Sequence, residues 1–337
     1  MIREAIEKAV AGQDLTRDEA ATVMEEIMTG QATPAQFGAL VTALRVKGET
    51  VQEITGFASV MRRLATPVSP RRSVVDTCGT GGDGSGTFNI STTAAFVAAG
   101  AGAVVAKHGN RSMTSRCGSA DVLEALGVNI NLTAAQVETC LDEVGIGFMF
   151  ALLFHPAMKF ASGPRREIGI RTVFNILGPL TNPAGAHAQV LGVASPVLVQ
   201  RMAEALALLG SHHALVVHGE DGVDEISICA PTRISEVRDG EIRSYTVAPE
   251  DFGFSRGTTE AIRGGDAPTN AAISRSVLAG ADGPRREVVL LNAAAALVAC
   301  DLADGLADGV TLAARAIDSG AAADRLEKLA SVSQRFA

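Results

Sequence analysis

One segment, residues 76–92, constrains the fold of this 337-residue chain more than any other. It reads DTCGTGGDGSGTFNIST and has five glycines between Gly79 and Gly86. We expect a strand at 73–76 before it and a helix at 91–101 after it, which places it where open parallel sheets bind ligands. Glycines let backbone N–H groups approach phosphate oxygens, and a helix N-terminus adds positive charge. The alternative is a structural turn, but a turn needs only one or two glycines.

Beyond this segment, short apolar runs alternate with helical patterns. Strands are expected at 103–106, 146–150, 188–193 and 214–217, and a hairpin at 233–247 around Asp239-Gly240. Such alternation predicts crossover connections and a mainly parallel central sheet flanked by helices. The first seventy residues instead show three capped helices beginning after Thr16, Thr33 and Thr50, until Pro67 and Pro70 interrupt the pattern. We therefore predict an α/β protein with a small all-helical domain at 1–70 and a larger α/β domain at 71–337.

The charge balance limits the partners. With 29 basic and 37 acidic residues the net charge is −8, which argues against nucleic acid and anionic membranes as partners. No apolar stretch approaches the roughly 18 residues needed to span a bilayer, and the N-terminal residues lack the apolar centre of a secretory signal. The five cysteines are widely scattered, without metal-binding spacing, which favours reduced thiols in a cytoplasmic protein.

Two further strand ends carry charged residues. Lys107 follows the strand expected at 103–106 and could complete an anion site beside the glycine-rich segment. Asp224 and Glu225 follow the strand at 214–217 and suit Mg²⁺, which proteins hold with one or two carboxylates plus substrate phosphates. An exposed acidic turn is the alternative for this pair. Arg165 and Arg166 suit carboxylate or phosphate recognition, or a solvated helix face. The remaining histidines receive no role: His155, His187, His212, His213 and His218.

Taken together and in this order, these segments resemble the anthranilate phosphoribosyltransferase family of tryptophan biosynthesis. The matching segments span nearly the whole chain: 79–83, 89–92, 107–111, 118–127, 175–183, 224–225, 264–266 and 270–272. The resemblance implies transfer of a phosphoribosyl group from 5-phosphoribosyl 1-diphosphate (PRPP) to anthranilate, with Mg²⁺ as cofactor, two ions per subunit. It also implies a homodimer formed through the helical domain, and a segment near 150–175 that returns to the helical side.

The resemblance also implies roles for individual residues. PRPP would be bound by a set drawn from the glycine-rich segment and the 107–119 region: Gly79, Gly82, Asp83, Thr87, Asn89, Ile90, Ser91, Thr92, Lys107, His108, Gly109, Asn110, Arg111, Ser112, Met113, Thr114, Ser115 and Ser119. Anthranilate would be contacted by Gly79, His108, Asn110 and Arg165. The metal ligands would be Ser91, Asp224 and Glu225. Because an aromatic amine is already a nucleophile, no catalytic side chain is demanded, and rate enhancement is electrostatic and positional.

Two alternatives stay open at this point. A pyrimidine nucleoside phosphorylase shares this architecture but does not need metal ligands such as Asp224-Glu225, and a non-catalytic relative that binds nucleic acid needs a basic face. Two local features depart from the family pattern. Pro164 should bias Gly163 away from helical geometry, and Leu152-Leu153 stands where a proline is expected near the substrate entrance.

Overall fold

The computed structural model describes residues 1–112 and 116–337. An N-terminal helical bundle packs against an α/β unit built on one seven-stranded sheet. This arrangement confirms the expected fold class. Within the described ranges, no helix combines the length and apolar character needed to cross a membrane.

The bundle has four helices: α1 (Ile2–Val10), α2 (Arg17–Met28), α3 (Pro34–Lys47) and α4 (Val51–Leu64). Thr16, Thr33 and Thr50 cap the last three as expected, each side chain accepting a hydrogen bond from the backbone N–H three residues on. Caps of this kind typically contribute about 1 kcal/mol each. Buried Glu53 adds a tertiary link, because its carboxylate accepts the Leu15 N–H at 2.9 Å.

The sheet contains seven strands: β1 (Val75–Gly79), β2 (Val105–Gly109), β3 (Ile146–Phe150), β4 (Ala188–Gly192), β5 (His213–Gly219), β6 (Thr232–Arg238) and β7 (Glu241–Val247). Their order across the sheet is β3-β2-β1-β4-β5-β6-β7. The first five are parallel, whereas β6 and β7 form an antiparallel hairpin whose turn is Asp239-Gly240, as expected. The carboxyl ends of β1, β2, β4 and β5 therefore meet along one edge.

Eleven further α-helices lie in the described part of the chain: α5 (Ile90–Gly100), α6 (Ser119–Ala125), α7 (Ala134–Val144), α8 (Ala151–Phe154), α9 (Lys159–Ile168), α10 (Phe174–Leu177), α11 (Pro196–Leu208), α12 (Ala267–Leu278), α13 (Pro284–Ala299), α14 (Leu306–Asp318) and α15 (Ala321–Gln334). The alanine-rich helices α5 and α13 pack together beside β1, with nearly every α5 residue buried. Helix α15 also packs closely on α5, since a Cβ on Gly100 would lie 2.7 Å from the Ala322 nitrogen.

The segment after β3 packs on the helical bundle. Helix α9 contacts α2 and α3, and Ala161 and Phe174 belong to the core that the bundle shares with one face of the sheet. Arg62 of α4 crosses to the α/β unit and donates to the Leu180 carbonyl at 2.6 Å and the Leu209 carbonyl at 3.1 Å. The boundaries at 1–70 and 71–337 stay a prediction.

Three local expectations differ from the structure. The strands expected at 73–76 and 103–106 instead run to Gly79 and Gly109, because parallel backbone pairing continues past the apolar residues into polar ones. Lys107 is consequently inside β2 rather than beyond it. Pro164 does not break the helix, since α9 continues through it and keeps Gly163 helical. The missing N–H of proline removes one helical hydrogen bond, and packing on the bundle outweighs that loss.

Candidate active site

Four neighbouring parallel strands end in glycine on the same edge of the sheet. These residues are Gly79 of β1, Gly109 of β2, Gly192 of β4 and Gly219 of β5. A Cβ atom on Gly79 would lie 2.4 Å from the Oδ2 atom of Asp224, and one on Gly192 would lie 1.6 Å from its backbone oxygen. Glycine is therefore required at both positions because Asp224 crosses directly over the ends of β1 and β4.

The glycine-rich segment is held by this same acidic turn. The Gly81 N–H donates to Asp224 Oδ2 at 2.8 Å, and the Thr80 N–H donates to the Gly192 carbonyl at 2.9 Å. Gly81 and Gly82 have φ of 62° and 69°, a left-handed backbone conformation that residues with a side chain rarely adopt. The glycine-rich segment and Asp224 of the acidic turn are therefore in direct contact, and their shared role in one site stays a prediction.

The far side of the glycine-rich segment rests on residues 262–270. The Phe88 N–H donates to the Ile262 carbonyl at 3.2 Å, and Thr87 pairs with Arg263. Asn270 donates from its side chain to the Asn89 Oδ1 atom at 2.9 Å. Within the loop, the Ser85 hydroxyl donates to Asp83. These contacts hold the far flank of the loop that the resemblance assigns to PRPP.

The start of α5 offers groups suited to phosphate. Ser91 lies in its first turn, and its N–H donates to Glu225 Oε1 at 3.1 Å. The Thr92 hydroxyl is buried and has no hydrogen-bond partner among the described residues. An unpartnered buried hydroxyl at a helix N-terminus is costly alone and is satisfied by an oxyanion. This observation supports a phosphate group at Asn89-Ile90-Ser91-Thr92.

The three residues expected to hold a metal lie together. Burial raises the pKa of Asp224, with a further rise from the charge of Asp83, and burial raises the pKa of Glu225, with a further rise from Asp224. Closely placed buried carboxylates of this kind favour a cation that would neutralise them. No set of three His, Cys, Asp or Glu side chains in the described ranges could enclose a metal. Mg²⁺ shared between two carboxylates and a substrate diphosphate fits the donors present.

Lys107 is more deeply placed than the sequence suggested. It is 3% exposed, and its Nζ atom donates to the Thr77 carbonyl of the neighbouring strand. Burial lowers the pKa of Lys107, and the negative charge of Asp76 opposes that effect. The lysine therefore lies beneath the strand ends, where it interacts electrostatically with Asp76 and Glu225. Its contact with PRPP stays a prediction.

The loop after β2 is organised by one carboxylate of α6. Asp121 Oδ2 accepts the Ser112 N–H at 3.1 Å and the Gly118 N–H at 2.8 Å. Arg111 is half-exposed and pairs with Asp121 at 2.9 Å and with Glu124. Gly109 lies close to Ser119, whose hydroxyl donates to the Asn110 carbonyl at 3.3 Å. The expected PRPP residues Met113, Thr114 and Ser115 lie outside the described residues.

Two buried histidines lie beside this loop. The rings of His108 and His155 are 5.0 Å apart, and the Nε2 atom of each has no partner in the part of the chain that the structure describes. Burial lowers the pKa of His108 to about 3 and that of His155 to about 4. Both rings are therefore neutral at physiological pH. Sequence reasoning placed His108 near anthranilate and assigned His155 no role.

The returning segment carries three arginines with different surroundings, and Arg166 is exposed on the surface of α9. The Arg165 guanidinium lies 5.3 Å from the centre of the Phe174 ring, and burial lowers its pKa. Arg171 instead reaches the glycine-rich segment and donates to the Gly81 carbonyl at 2.9 Å. Sequence reasoning assigned no role to Arg171 or to Gly192. Gly192 could have been identified because several apolar runs end in glycine. No sequence signal indicated the contact of Arg171.

Comparison with known proteins agrees with this geometry. Residues 3–65 match the model of the glycosyl transferase family helical bundle domain, and residues 71–323 match that of the family's a/b domain. The anthranilate phosphoribosyltransferase of Chloroflexus aggregans is 63% identical over 335 residues, covering 99% of this chain and 98% of that protein. That of Moorella thermoacetica is 58% identical over 330 residues, covering 98% and 97%.

Solved structures give the same result. The crystal structure of anthranilate phosphoribosyltransferase from Thermus thermophilus superimposes with a TM-score of 0.93 at 45% identity, covering 98% of this chain and 99% of that one. The enzyme from Saccharomyces cerevisiae in complex with PRPP and Mg has a TM-score of 0.90 at 27% identity, covering 99% and 98%. The resemblance inferred from the motifs is confirmed. This chain belongs to the glycosyl transferase family described by these models and, within it, to the anthranilate phosphoribosyltransferases.

Proposed function

We propose that this edge of the sheet transfers the 5-phosphoribosyl group of PRPP to the amine of anthranilate, giving N-(5-phosphoribosyl)anthranilate and pyrophosphate in tryptophan biosynthesis. The observation that carries the proposal is the contact between the glycine-rich segment and the acidic turn, in which Gly81 donates to Asp224 at 2.8 Å. This contact joins a glycine-rich backbone suited to phosphate to an acidic pair suited to a cation, which supports the proposal. Relatives of known name, one of them bound to PRPP and Mg, support the same substrates.

PRPP would lie along the glycine-rich segment and the first turn of α5. The backbone N–H groups near Gly82 and the unpartnered hydroxyl of Thr92 would receive phosphate oxygens. Asn89 is already oriented by Asn270, so its side chain costs little to order on binding. The described residues of the segment after β2, together with Ser119, would cover the other side of the substrate.

Asp224, Glu225 and Ser91 would hold Mg²⁺, and we propose two ions per subunit. When bound, the metal neutralises charge on the departing pyrophosphate. The pair of buried carboxylates supports this assignment, since burial raises the pKa of both and a cation beside them would favour their ionised form.

Anthranilate would bind between the helical bundle and the loop after β2. Arg165 presents a guanidinium that burial has partly desolvated, which strengthens its pairing with a carboxylate. Neutral His108 and its neighbour His155 offer flat, uncharged rings beside this region. Asn110, directly after β2, would also contact anthranilate.

The reaction then requires orientation more than acid–base chemistry. The amine nitrogen forms a bond to the anomeric carbon of ribose while the bond from that carbon to the diphosphate oxygen breaks. The bonding electron pair leaves with pyrophosphate, and the proton released from nitrogen passes to solvent. Positioning two substrates in one site supplies most of the acceleration. The described site contains no arrangement that would be needed for covalent catalysis, and the mechanism does not call for one.

We also propose a homodimer formed through the helical bundle. Helices α1 and α3 expose an apolar face, with Val10 at 73% and Val46 at 84% exposure, and Ala39 and Ala43 line the hollow between them. Exposed apolar patches of this kind mark protein interfaces. A monomer in analytical ultracentrifugation at micromolar concentration would contradict this assignment. A cytoplasmic location stays a prediction from the sequence.

Product identification separates this function from the alternatives. Incubation with PRPP, anthranilate and Mg²⁺ should yield a species with the mass of N-(5-phosphoribosyl)anthranilate. A pyrimidine nucleoside phosphorylase would instead release base from thymidine or uridine with phosphate and without Mg²⁺. A nucleic-acid-binding relative would shift single-stranded DNA in a gel at moderate salt. Either result in place of the product would overturn the proposal.

A further inference from the structure

Arg171 connects the anthranilate side of the site to the PRPP side. It lies in the short segment between Gly169, which ends α9 in a left-handed conformation, and Thr172, whose N–H donates to Asn175 at the start of α10. Helix α9 carries Arg165 and packs on the bundle. The position of the Arg171 side chain therefore depends on how α9 packs on the helical bundle.

The contact of Arg171 is the turn of the glycine-rich segment. The Nη2 atom of Arg171 donates to the Gly81 carbonyl at 2.9 Å. The backbone N–H of Gly81 in turn donates to Asp224 at 2.8 Å. The Gly81 residue is thus held from both sides, by a cation from the returning segment and by an anion from the acidic turn. Neither contact depends on a side chain at Gly81.

Gly82 makes room for this arginine. A Cβ atom on Gly82 would lie 1.5 Å from Nη1 of Arg171, well inside van der Waals contact. The guanidinium plane therefore lies against the backbone of the next loop residue as well. Arg171 also acts on the acidic pair, because its positive charge lowers the pKa of Asp224 against the larger effect of burial.

We propose that Arg171 is a positioning residue for phosphoribosyl transfer, which holds the Gly81–Gly82 turn in the conformation that receives the diphosphate of PRPP. This inference rests on the proposed function. The guanidinium acts through the loop backbone, and its planar fork reaches the Gly81 carbonyl and the Gly82 backbone together, which a lysine ammonium cannot do. Arg171 also links the glycine-rich loop to the segment that carries Arg165. The proposed PRPP and anthranilate sites are therefore connected through this residue.

The test compares three substitutions by steady-state kinetics and by calorimetric titration of PRPP with Mg²⁺. Arg171→Ala should raise KM and Kd for PRPP about tenfold, because a charge-assisted hydrogen bond is lost. The KM for anthranilate and kcat should change less. Arg171→Lys should recover part of the loss. Arg166→Ala removes an exposed arginine from α9 and should leave both constants unchanged. Thermal unfolding shows whether each variant is folded.

A double-mutant cycle with Gly82→Ala isolates the contact. In the wild-type chain, Gly82→Ala should weaken PRPP binding because it displaces the Arg171 guanidinium and strains the backbone. In the Arg171→Ala chain only the backbone strain remains, so the same substitution should weaken PRPP binding less. Additive effects of the two substitutions on PRPP binding would overturn the positioning role, and so would an unchanged KM and Kd for PRPP in folded Arg171→Ala. Neither result would affect the proposed function if the wild-type chain turns over normally. A folded wild-type chain that binds no PRPP would overturn both.

Discussion

The Oδ2 atom of Asp224 lies 2.8 Å from the backbone nitrogen of Gly81, across 143 residues of sequence. The contact joins the loop after β1 to the loop after β5, two strands separated by β4 in the sheet. It explains why both Gly79 and Gly192 lack side chains, since Asp224 passes over each of them. The acidic turn and the glycine-rich segment are thus one structural unit.

Replacing both acids tests the metal assignment. Asp224→Asn with Glu225→Gln should abolish turnover while thermal unfolding without Mg²⁺ shows an intact fold, because two metal ligands are lost with little change in volume. Glu220→Gln, an exposed acid on the same loop, is the matched control and should retain activity. Normal activity of the double variant at limiting Mg²⁺ would show that these residues do not hold the metal.

Gly192→Ala tests the close approach of Asp224 to β4. The new Cβ would meet the Asp224 backbone oxygen at 1.6 Å, so the acidic turn must shift. We expect a stability loss of about 2 kcal/mol and a larger proportional loss of activity. Gly305→Ala is the control, because that glycine has extended backbone and open space around it. Equal urea-unfolding curves and equal kcat/KM for both variants would argue against the contact.

Arg165→Ala should raise the KM for anthranilate more than the KM for PRPP. The reason is that the half-buried guanidinium beside Phe174 is the proposed partner of the anthranilate carboxylate. Steady-state kinetics with each substrate varied in turn measure the two constants. If the anthranilate KM is unchanged, another cation must recognise the carboxylate.

His155 should make stability depend on pH. Burial lowers its pKa to about 4, whereas the unfolded chain protonates histidine near pH 6.5. Between these values the unfolded state binds more protons, so the free energy of unfolding falls as pH falls from about 6.5 to 4, by up to about 3 kcal/mol. The free energy of unfolding of His155→Gln, measured with urea, should lack this part of the pH dependence.

The control for the substitution itself is His187→Gln at an exposed position. Its free energy of unfolding at pH 7 should stay close to that of the wild type. Parallel curves for wild type and His155→Gln would mean that the ring is not neutral in the folded protein.

The sequence predicted those parts of the fold that depend on local patterns. The capped helices after Thr16, Thr33 and Thr50 and the hairpin at Asp239-Gly240 follow from short-range hydrogen bonding and turn preferences, and the structure has them where expected. The glycine-rich segment and Asp224 could be placed in one site because strand ends of a parallel sheet share an edge.

Other features depend on packing between distant segments. The strand ends at Gly79 and Gly109 were missed because pairing with a neighbour, rather than hydrophobicity, extends these strands. The burial of Lys107 follows from that extension. The contact of Arg171 with Gly81 spans 90 residues and depends on how α9 packs on the bundle, which no local pattern encodes.

The most direct test of the central claim is the fluorescence of anthranilate in the presence of the wild-type chain. Addition of PRPP and Mg²⁺ together should produce a continuous loss of anthranilate fluorescence, because the amine becomes ribosylated. Omitting either PRPP or Mg²⁺ should prevent the loss, and benzoate or nicotinate in place of anthranilate should not consume PRPP. Stable anthranilate fluorescence with both additions present, in a folded preparation, would contradict the account.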